Sequence, residues 1–238
     1  MLQLATYTDT GGRAGNEDCV LHAATGTQDL CLVVADGLGG HGGGELASAE
    51  ACRTICGGWN GRSSPSILTD LLQAAHRNVT ALQTPQCAMK STAVVLTVTD
   101  SRVAWAHVGD SRLYHFYEGK LVFQTKDHSA SQIAVMLGDI TPDQIRFHED
   151  RSRVLRALGQ EGNLKVDAQE EPLMPGSHAF LLCTDGFWEY VLESEMESDL
   201  LQSSSPEDWL ERMCSRLKQR VPNDNDNNTA AAVWLNQR

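Results

Sequence analysis

Apolar residues recur along this chain with two periods, and each period predicts its own elements. Helical spacing groups Cys52, Ile55, Cys56 and Trp59 on one face, and Leu68, Leu71, Leu72, Ala75, Val79 and Leu82 on a second. A third face, Trp209, Leu210, Met213, Cys214 and Leu217, follows Ser205 as N-cap and Pro206 at the first helical position. Strand-like runs are more numerous: DLCLVVA, STAVVLTV, RVAWAHV, RLYHFYEGKLVFQT, HAFLLCT and TAAAVWL, with Glu118-Gly119 as a hairpin turn. STAVVLTV is apolar on both faces, which predicts a strand sandwiched between layers. The strands cluster with hairpin-sized gaps, and the helices come mainly in pairs between them. That order predicts antiparallel sheets covered by helices rather than a βαβ array.

Residues 126–158 break the pattern. ITPDQIRF offers Thr141 as N-cap, Pro142 at the first helical position and Gln144 two residues later, a short helix in an otherwise polar, irregular stretch. The segment at about 128–152 reads either as a flap or as an ordinary surface loop. No repeat, low-complexity tract or long Pro/Gly/Ser linker interrupts the chain, so 1–238 reads as one domain.

Composition acts mainly by exclusion. The 238 residues can bury a full core. With 31 acidic and 19 basic residues, a net charge of −12 and no Lys/Arg cluster, neither nucleic acid nor an anionic membrane is expected as the main partner. The start MLQLATYTDTGGRAGNED lacks the basic and apolar regions of a signal peptide. No apolar run approaches the ~20 residues that span a bilayer. Seven cysteines, an odd number without C-x-x-C, predict reduced and mostly buried thiols in a cytoplasmic protein.

The chemistry centres on VVADGLGGHGGGELAS, residues 33–48, where Gly37 to Gly42 spell G-x-G-x-x-G. A dinucleotide fingerprint needs a second strand and an acid about 20 residues on. CGGWNGRSS at 56–64 supplies neither, and Asp36 would repel a pyrophosphate. The acids themselves form a pattern. Asp36, Asp110 and Asp185 each end an apolar strand, Asp224 and Asp226 precede the last strand, and Glu17-Asp18 precede the strand beginning at Cys19. Carboxylates gathered at one sheet rim repel one another unless hard cations lie among them. An oxygen-only set selects Mg2+ or Mn2+ over zinc, and H-E-x-x-H is absent. Cys56 and Cys214 each begin a C-x5-R match, but both fall within or at the end of predicted helices. A nucleophilic thiolate is stabilised at a helix N-terminus instead.

RAGNED at 13–18, ADGLGGHGGGE at 35–45, HVGDSRLY at 107–114, TKDHS at 125–129, RVLRALG at 153–159, LCTDGFWE at 182–189 and DNNT at 226–229 add a resemblance. In this order they resemble the metal-dependent protein phosphatases of the protein phosphatase 2C type, over nearly the whole chain and in a compact, stand-alone bacterial form. The resemblance implies an α+β fold, a four-layer αββα sandwich of two antiparallel sheets flanked by paired helices. It implies hydrolysis of phosphoserine and phosphothreonine on proteins by a metal-activated water. Asp36 would bridge two Mn2+ or Mg2+ ions, Asp185 and Asp226 would complete the first site, and the Gly37 carbonyl would ligate the second. Glu17 and Asp18 would hold metal-bound water, Arg13 would pair with the substrate phosphate, and Asn227 would help fix the tail loop. Asp110 either shares a weaker third ion with Asp185 or caps a turn and pairs with Arg112. The implied partner is a phosphorylated protein, a bacterial Ser/Thr kinase or its target, as in type VI secretion control, met by a cytoplasmic monomer.

Two positions depart from the family pattern. Leu38 stands where many relatives carry histidine; His41 either protonates the leaving group in its place or stabilises the turn. Lys90 in MKST stands where glycine is usual. The alternative is a catalytically weak, phosphoprotein-binding regulator of the same fold, which would be expected to have lost a metal acid. Asp36, Asp185 and Asp226 are all retained.

Overall fold

The apolar strands assemble into two antiparallel sheets in the computed structural model, which describes residues 2–38, 42–99, 102–221 and 225–237. The strands are β1 (Leu2–Asp9), β2 (Asp18–Ala23), β3 (Leu30–Leu38), β4 (Lys90–Ser91), β5 (Ala93–Val98), β6 (Arg102–Val108), β7 (Arg112–Tyr117), β8 (Lys120–Gln124), β9 (Asp167–Pro172), β10 (Gly176–Cys183) and β11 (Asn228–Gln237). One sheet runs β1-β11-β10-β7-β8, the other β2-β3-β5-β6-β9, with β4 paired to β3. The helices are α1 (Gly44–Gly58), α2 (Pro65–Leu82), α3 (Ala130–Leu137), α4 (Asp185–Trp188), α5 (Glu193–Gln202) and α6 (Pro206–Arg220).

Three apolar layers hold the stack together. Between the sheets lie Leu32, Val34, Val94, Leu96, Trp105, Leu113, Phe180 and Val233. Cys52, Ile55, Leu68 and Leu72 of α1 and α2 cover the outer face of the β3 sheet, and Met196, Trp209, Met213 and Leu217 of α5 and α6 cover the other. The expected four-layer αββα sandwich is therefore present, and every residue of β5 is buried, Thr97 included, as its largely apolar sequence predicts. The pairing of β3 with antiparallel neighbours on both sides removes the dinucleotide reading, which needs a parallel crossover.

Local signals act where they were read. Ser64 caps α2 by accepting from the Ile67 N–H, and Ser205 caps α6 by accepting from the Asp208 N–H. Glu118 and Gly119 both take positive φ (48° and 76°), as a two-residue hairpin turn demands. Trp59 follows α1 as its C-cap and donates its indole N–H to the Arg62 carbonyl at 2.8 Å. Residues 126–158 are more ordered than expected, because α3 and a 3-10 turn (Pro142–Phe147) both lie there. Gln144 Oε1 does accept from the Thr141 N–H at 2.8 Å. Among the described residues no helix is long and apolar enough to cross a membrane.

Candidate metal and phosphate site

Strand ends bring the acids together. Asp36 in β3 lies opposite Asp18 in β2. From the second sheet, β10 delivers Asp185 at the start of α4, and the approach to β11 delivers Asp226. Thr184 donates to Asp18 Oδ2 at 2.9 Å, so a residue of the β10 end holds an acid of the β2 end across the sandwich. Arg13, Glu17, Asp36, Gly37, Asp185, Asp226 and Asn227 line a cleft of about 890 Å³. Asp110 lies beneath it, buried after the positive-φ Gly109, with its carbonyl held by the Trp188 indole N–H at 2.9 Å. His41 and Asp224 lie outside the described residues.

Backbone anchoring fixes each acid. The Asp36 carbonyl accepts from the Thr92 N–H at 2.8 Å and from Ser91 Oγ at 2.9 Å, while its own N–H donates to Thr92 Oγ1 at 3.0 Å. Asn227 accepts from the Glu17 N–H and donates to the carbonyls of Thr10 and Gly15, which ties the 10–17 loop to the segment before β11. Arg13 reaches across that seam to Asp226 Oδ2 at 2.9 Å. Ser91, Thr92 and Thr184 were not singled out from sequence. Polar residues at the margins of all-apolar strands were the available signal, since a buried hydroxyl needs a partner.

Glycine 37 is required by contact. A Cβ there would lie 2.2 Å from the Gly44 carbonyl oxygen and 2.7 Å from that of Glu17. The start of α1 therefore presses directly on the strand that carries Asp36, which is the close packing expected behind the glycine turn.

The electrostatics fit cations. Burial first, then Asp185, Asp18, Asp110 and Asp226, push the Asp36 carboxyl well above the usual range, and Asp185 is raised by burial and by Asp110, Glu189, Asp226 and Asp18. Burial pushes Asp18 up to about 7, and burial with Asp127 nearby does the same to Asp110. Both Asp110 carboxylate oxygens and Asp18 Oδ1 are buried without a hydrogen-bond partner in the structure. The expected alternative for Asp110 fails here, because Arg112 gives its guanidinium to Asp127 at 2.7 and 2.8 Å and stacks 3.4 Å over the Trp188 ring. Orphaned oxygens among mutually repelling acids, with no nitrogen or sulfur ligand beside them among the described residues, fit Mg2+ or Mn2+.

A pH dependence follows. Without metal, Asp18 and Asp110 stay protonated in the folded chain up to about pH 7 but ionise near pH 4 when unfolded. Between those limits the folded state binds more protons, so their contribution to stability falls as pH rises. Buried His115 and His128, both lowered to about 4, act in the opposite direction, so the metal-free curve mixes the two. The metal-induced shift separates them, because cations must displace the carboxyl protons. The rise in Tm on adding Mn2+ is expected to be small near pH 5 and to grow through pH 7. A shift independent of pH would separate these acids from metal binding.

Two other candidate chemistries lack the geometry. Cys56 and Cys214 are buried on the inner faces of α1 and α6, away from any helix N-terminus. His107, His128 and Asp167 place one ligand atom each within 4.8 Å of one another. The Gly109 N–H donates to His128 Nδ1 at 3.1 Å, and Nε2 lies 3.2 Å from Asp167 Oδ2 and 3.1 Å from Arg156 Nη1. Arg156 pairs with the same carboxylate at 3.1 Å. That trio already has a cation in the Arg156 guanidinium.

Comparison with known proteins places this geometry. The Protein phosphatase 2C family model matches residues 12–227. The Serine/threonine phosphatase stp of Listeria welshimeri is 31% identical over 207 residues, 82% of this chain and 77% of that protein. The crystal structure of the Mycobacterium tuberculosis serine/threonine phosphatase PstP/Ppp superposes with a TM-score of 0.84 at 28% identity, covering 99% of both chains. The catalytic domain of PstP in complex with two manganese ions gives 0.81 at 26% identity over 98% and 97%. PppA, a key regulatory component of T6SS in Pseudomonas aeruginosa, gives 0.80 at 28% identity over 98% and 96%.

Proposed function

This chain belongs to the protein phosphatase 2C family of metal-dependent serine/threonine phosphatases, and we propose which of its residues perform the hydrolysis. Asp36, Asp185, Asp226 and the Gly37 carbonyl would hold two Mn2+ or Mg2+ ions, with Glu17 and Asp18 acting through water. The observation that carries this reading is the set of buried, mutually repelling carboxylates beneath the cleft, with both Asp110 carboxylate oxygens lacking a hydrogen-bond partner. Bound there, the ions would supply a nucleophilic water at neutral pH and neutralise phosphoryl oxygens. Asp110 and Asp185 would hold a third, weaker ion.

The chain's own groups do the rest. Arg13, exposed at the cleft mouth, offers a planar donor fork to two phosphoryl oxygens. Asn227 keeps Arg13's loop in register with Asp226, so clamp and floor move together. His41 stays a candidate proton donor to the leaving serine or threonine oxygen. The segment at about 128–152 acts as a flap, since its end at Ser152, Arg153 and Val154 forms one wall of the cleft. The partner would be a phosphorylated kinase or its target in a bacterial cytoplasm, met by a monomer. The likeness to PppA supports type VI secretion control as the setting.

Hydrolysis of p-nitrophenyl phosphate should appear with Mn2+ and vanish on chelation. Asp110→Ala should keep two tight sites by calorimetry while lowering turnover several-fold and shifting the Mn2+ activation curve to higher concentration. Unchanged stoichiometry and activity would make Asp110 structural, and metal-independent hydrolysis would remove the whole assignment. Arg13→Ala should raise KM for a phosphopeptide about tenfold, the worth of one charge-assisted contact, and change kcat less. Lysine should restore only part of that, because it lacks the fork. An unchanged KM would take Arg13 out of the phosphate site.

A further inference from the structure

The cleft has an acidic floor, and one of its walls is basic. Lys90 and Arg153 both line it, with Ala88, Val154, Ala157 and Gln160. Their backbones are pinned. Lys90 pairs with Leu38 in the β3–β4 ladder, one residue from the Ser91 that holds Asp36. The Arg153 carbonyl accepts from the Ala130 N–H at 3.0 Å, and its own N–H donates to the Asp150 carbonyl at 3.0 Å.

Their side chains, by contrast, make no hydrogen bond or ion pair among the described residues. The arginines nearest Arg153 in sequence, and the other arginine of the cleft, are paired. Arg151 pairs with Glu189, Arg156 with Asp167, and Arg13 with Asp226 itself. Lys90 is also half-buried, with no carboxylate partner among the described residues. The cleft, at about 890 Å³, is far larger than one phosphoryl group needs and has room for flanking substrate residues.

We infer that Lys90 and Arg153 form an anion subsite that binds a second negative group of the substrate, a phosphate or a carboxylate beside the phosphorylated residue. The inference rests on reading the cleft as the phosphatase site. The subsite selects substrates by charge: the first phosphate goes to the acid-lined floor, and the flanking anion goes to the wall. A substrate with neutral flanks leaves the two cations solvated and gains nothing from them. A basic flank meets direct repulsion, which makes the wall discriminate against as well as for.

The test uses three peptides carrying the same phosphothreonine, with neutral flanks, with glutamate flanks, or with a neighbouring phosphoserine. Release of phosphate from the threonine is followed by mass spectrometry. Wild-type kcat/KM is expected to be about tenfold higher on at least one anionic peptide than on the neutral one, as for one charge-assisted contact. In the Lys90→Ala/Arg153→Ala double variant, that ratio should collapse towards one, with the neutral peptide as internal reference. Preference for the phosphoserine peptide alone identifies a second phosphate as the ligand, and preference for both identifies any flanking anion. A wild-type ratio near one, or a ratio that survives in the double variant, overturns the subsite while leaving the phosphatase reading intact. Failure to hydrolyse any peptide, or p-nitrophenyl phosphate with Mn2+, overturns both.

Discussion

Asp36→Asn and Asp185→Asn are each expected to lower turnover by at least about 10³-fold, the loss of about 4 kcal/mol of transition-state stabilisation that one misplaced metal implies. Neither change should unfold the protein. Asparagine keeps the shape and brings no charge into a buried cluster whose mutual repulsion already drives these carboxyls towards their protonated form, so the metal-free variants should melt no lower than metal-free wild type. What should disappear is the Mn2+-induced rise in Tm, at least in large part. Turnover and melting therefore report separately. Near-wild-type rates in Mn2+ would sink the two-metal assignment, whereas a collapse in metal-free Tm would mean these acids were structural.

Gly37→Ala should do damage of a different kind. Its Cβ would sit 2.2 Å from one backbone oxygen and 2.3 Å from a backbone carbon, both in Gly44, and no side chain can rotate out of the way. Either β3 or the start of α1 has to retreat. Overpacking on this scale costs about 3 kcal/mol, or about 6–12 °C in Tm for a domain of this size. Activity should fall with it, because the same strand carries Asp36. Gly57→Ala is the control: it lies in α1 with open space around its Cβ, and alanine should be neutral or slightly stabilising there. Equal melting of the two variants would contradict the close strand–helix contact.

The layers could be read from sequence because burial writes itself as period. β5 is apolar but for Thr97, and α2 and α6 carry one apolar face each behind a serine cap and a proline. Elements that bury little left weaker marks. β9, DAQEEP, is an edge strand with mostly exposed or half-exposed polar residues, so it carries no alternation to find. β1 does alternate, with Leu2 and Leu4 facing the sheet interface and Ala5 and Tyr7 facing α6, yet its short, mixed residues did not stand out. α5 is acidic and buries Met196 and Asp199, and Asp199 is held by both ends of the Arg216 guanidinium. A helix fastened by an ion pair has no hydrophobic stripe to announce it. In α3 the apolar residues 133–137 run consecutively, and Ile133, Met136 and Leu137 are exposed, so no single face emerges.

The candidate site was legible as a set of strand-end acids, and its supports were not. That Asp110 lies beneath the cleft depends on Arg112 choosing Asp127, a choice made by side-chain geometry fifteen residues away in the chain. The basic wall shows the same limit. Lys90 could be seen as a departure from the family pattern, but its companion Arg153 sits in a motif where nothing in the sequence distinguishes it from Arg151 and Arg156.

The position of β11 has a consequence for how the protein comes into being. It lies between β1 and β10, so Leu2 pairs with Leu235 and Asp9 with Asn228. The five-stranded sheet therefore cannot join β1 to the rest until that strand has emerged, and pairings between residues so far apart in sequence form slowly. Asp226 arrives with the same segment. A nascent chain that stops short of residue 226 lacks both the strand that joins β1 to β10 and one acid of the proposed metal site. Emergence of this stretch thus brings the link between β1 and β10 and an acid of the proposed site together.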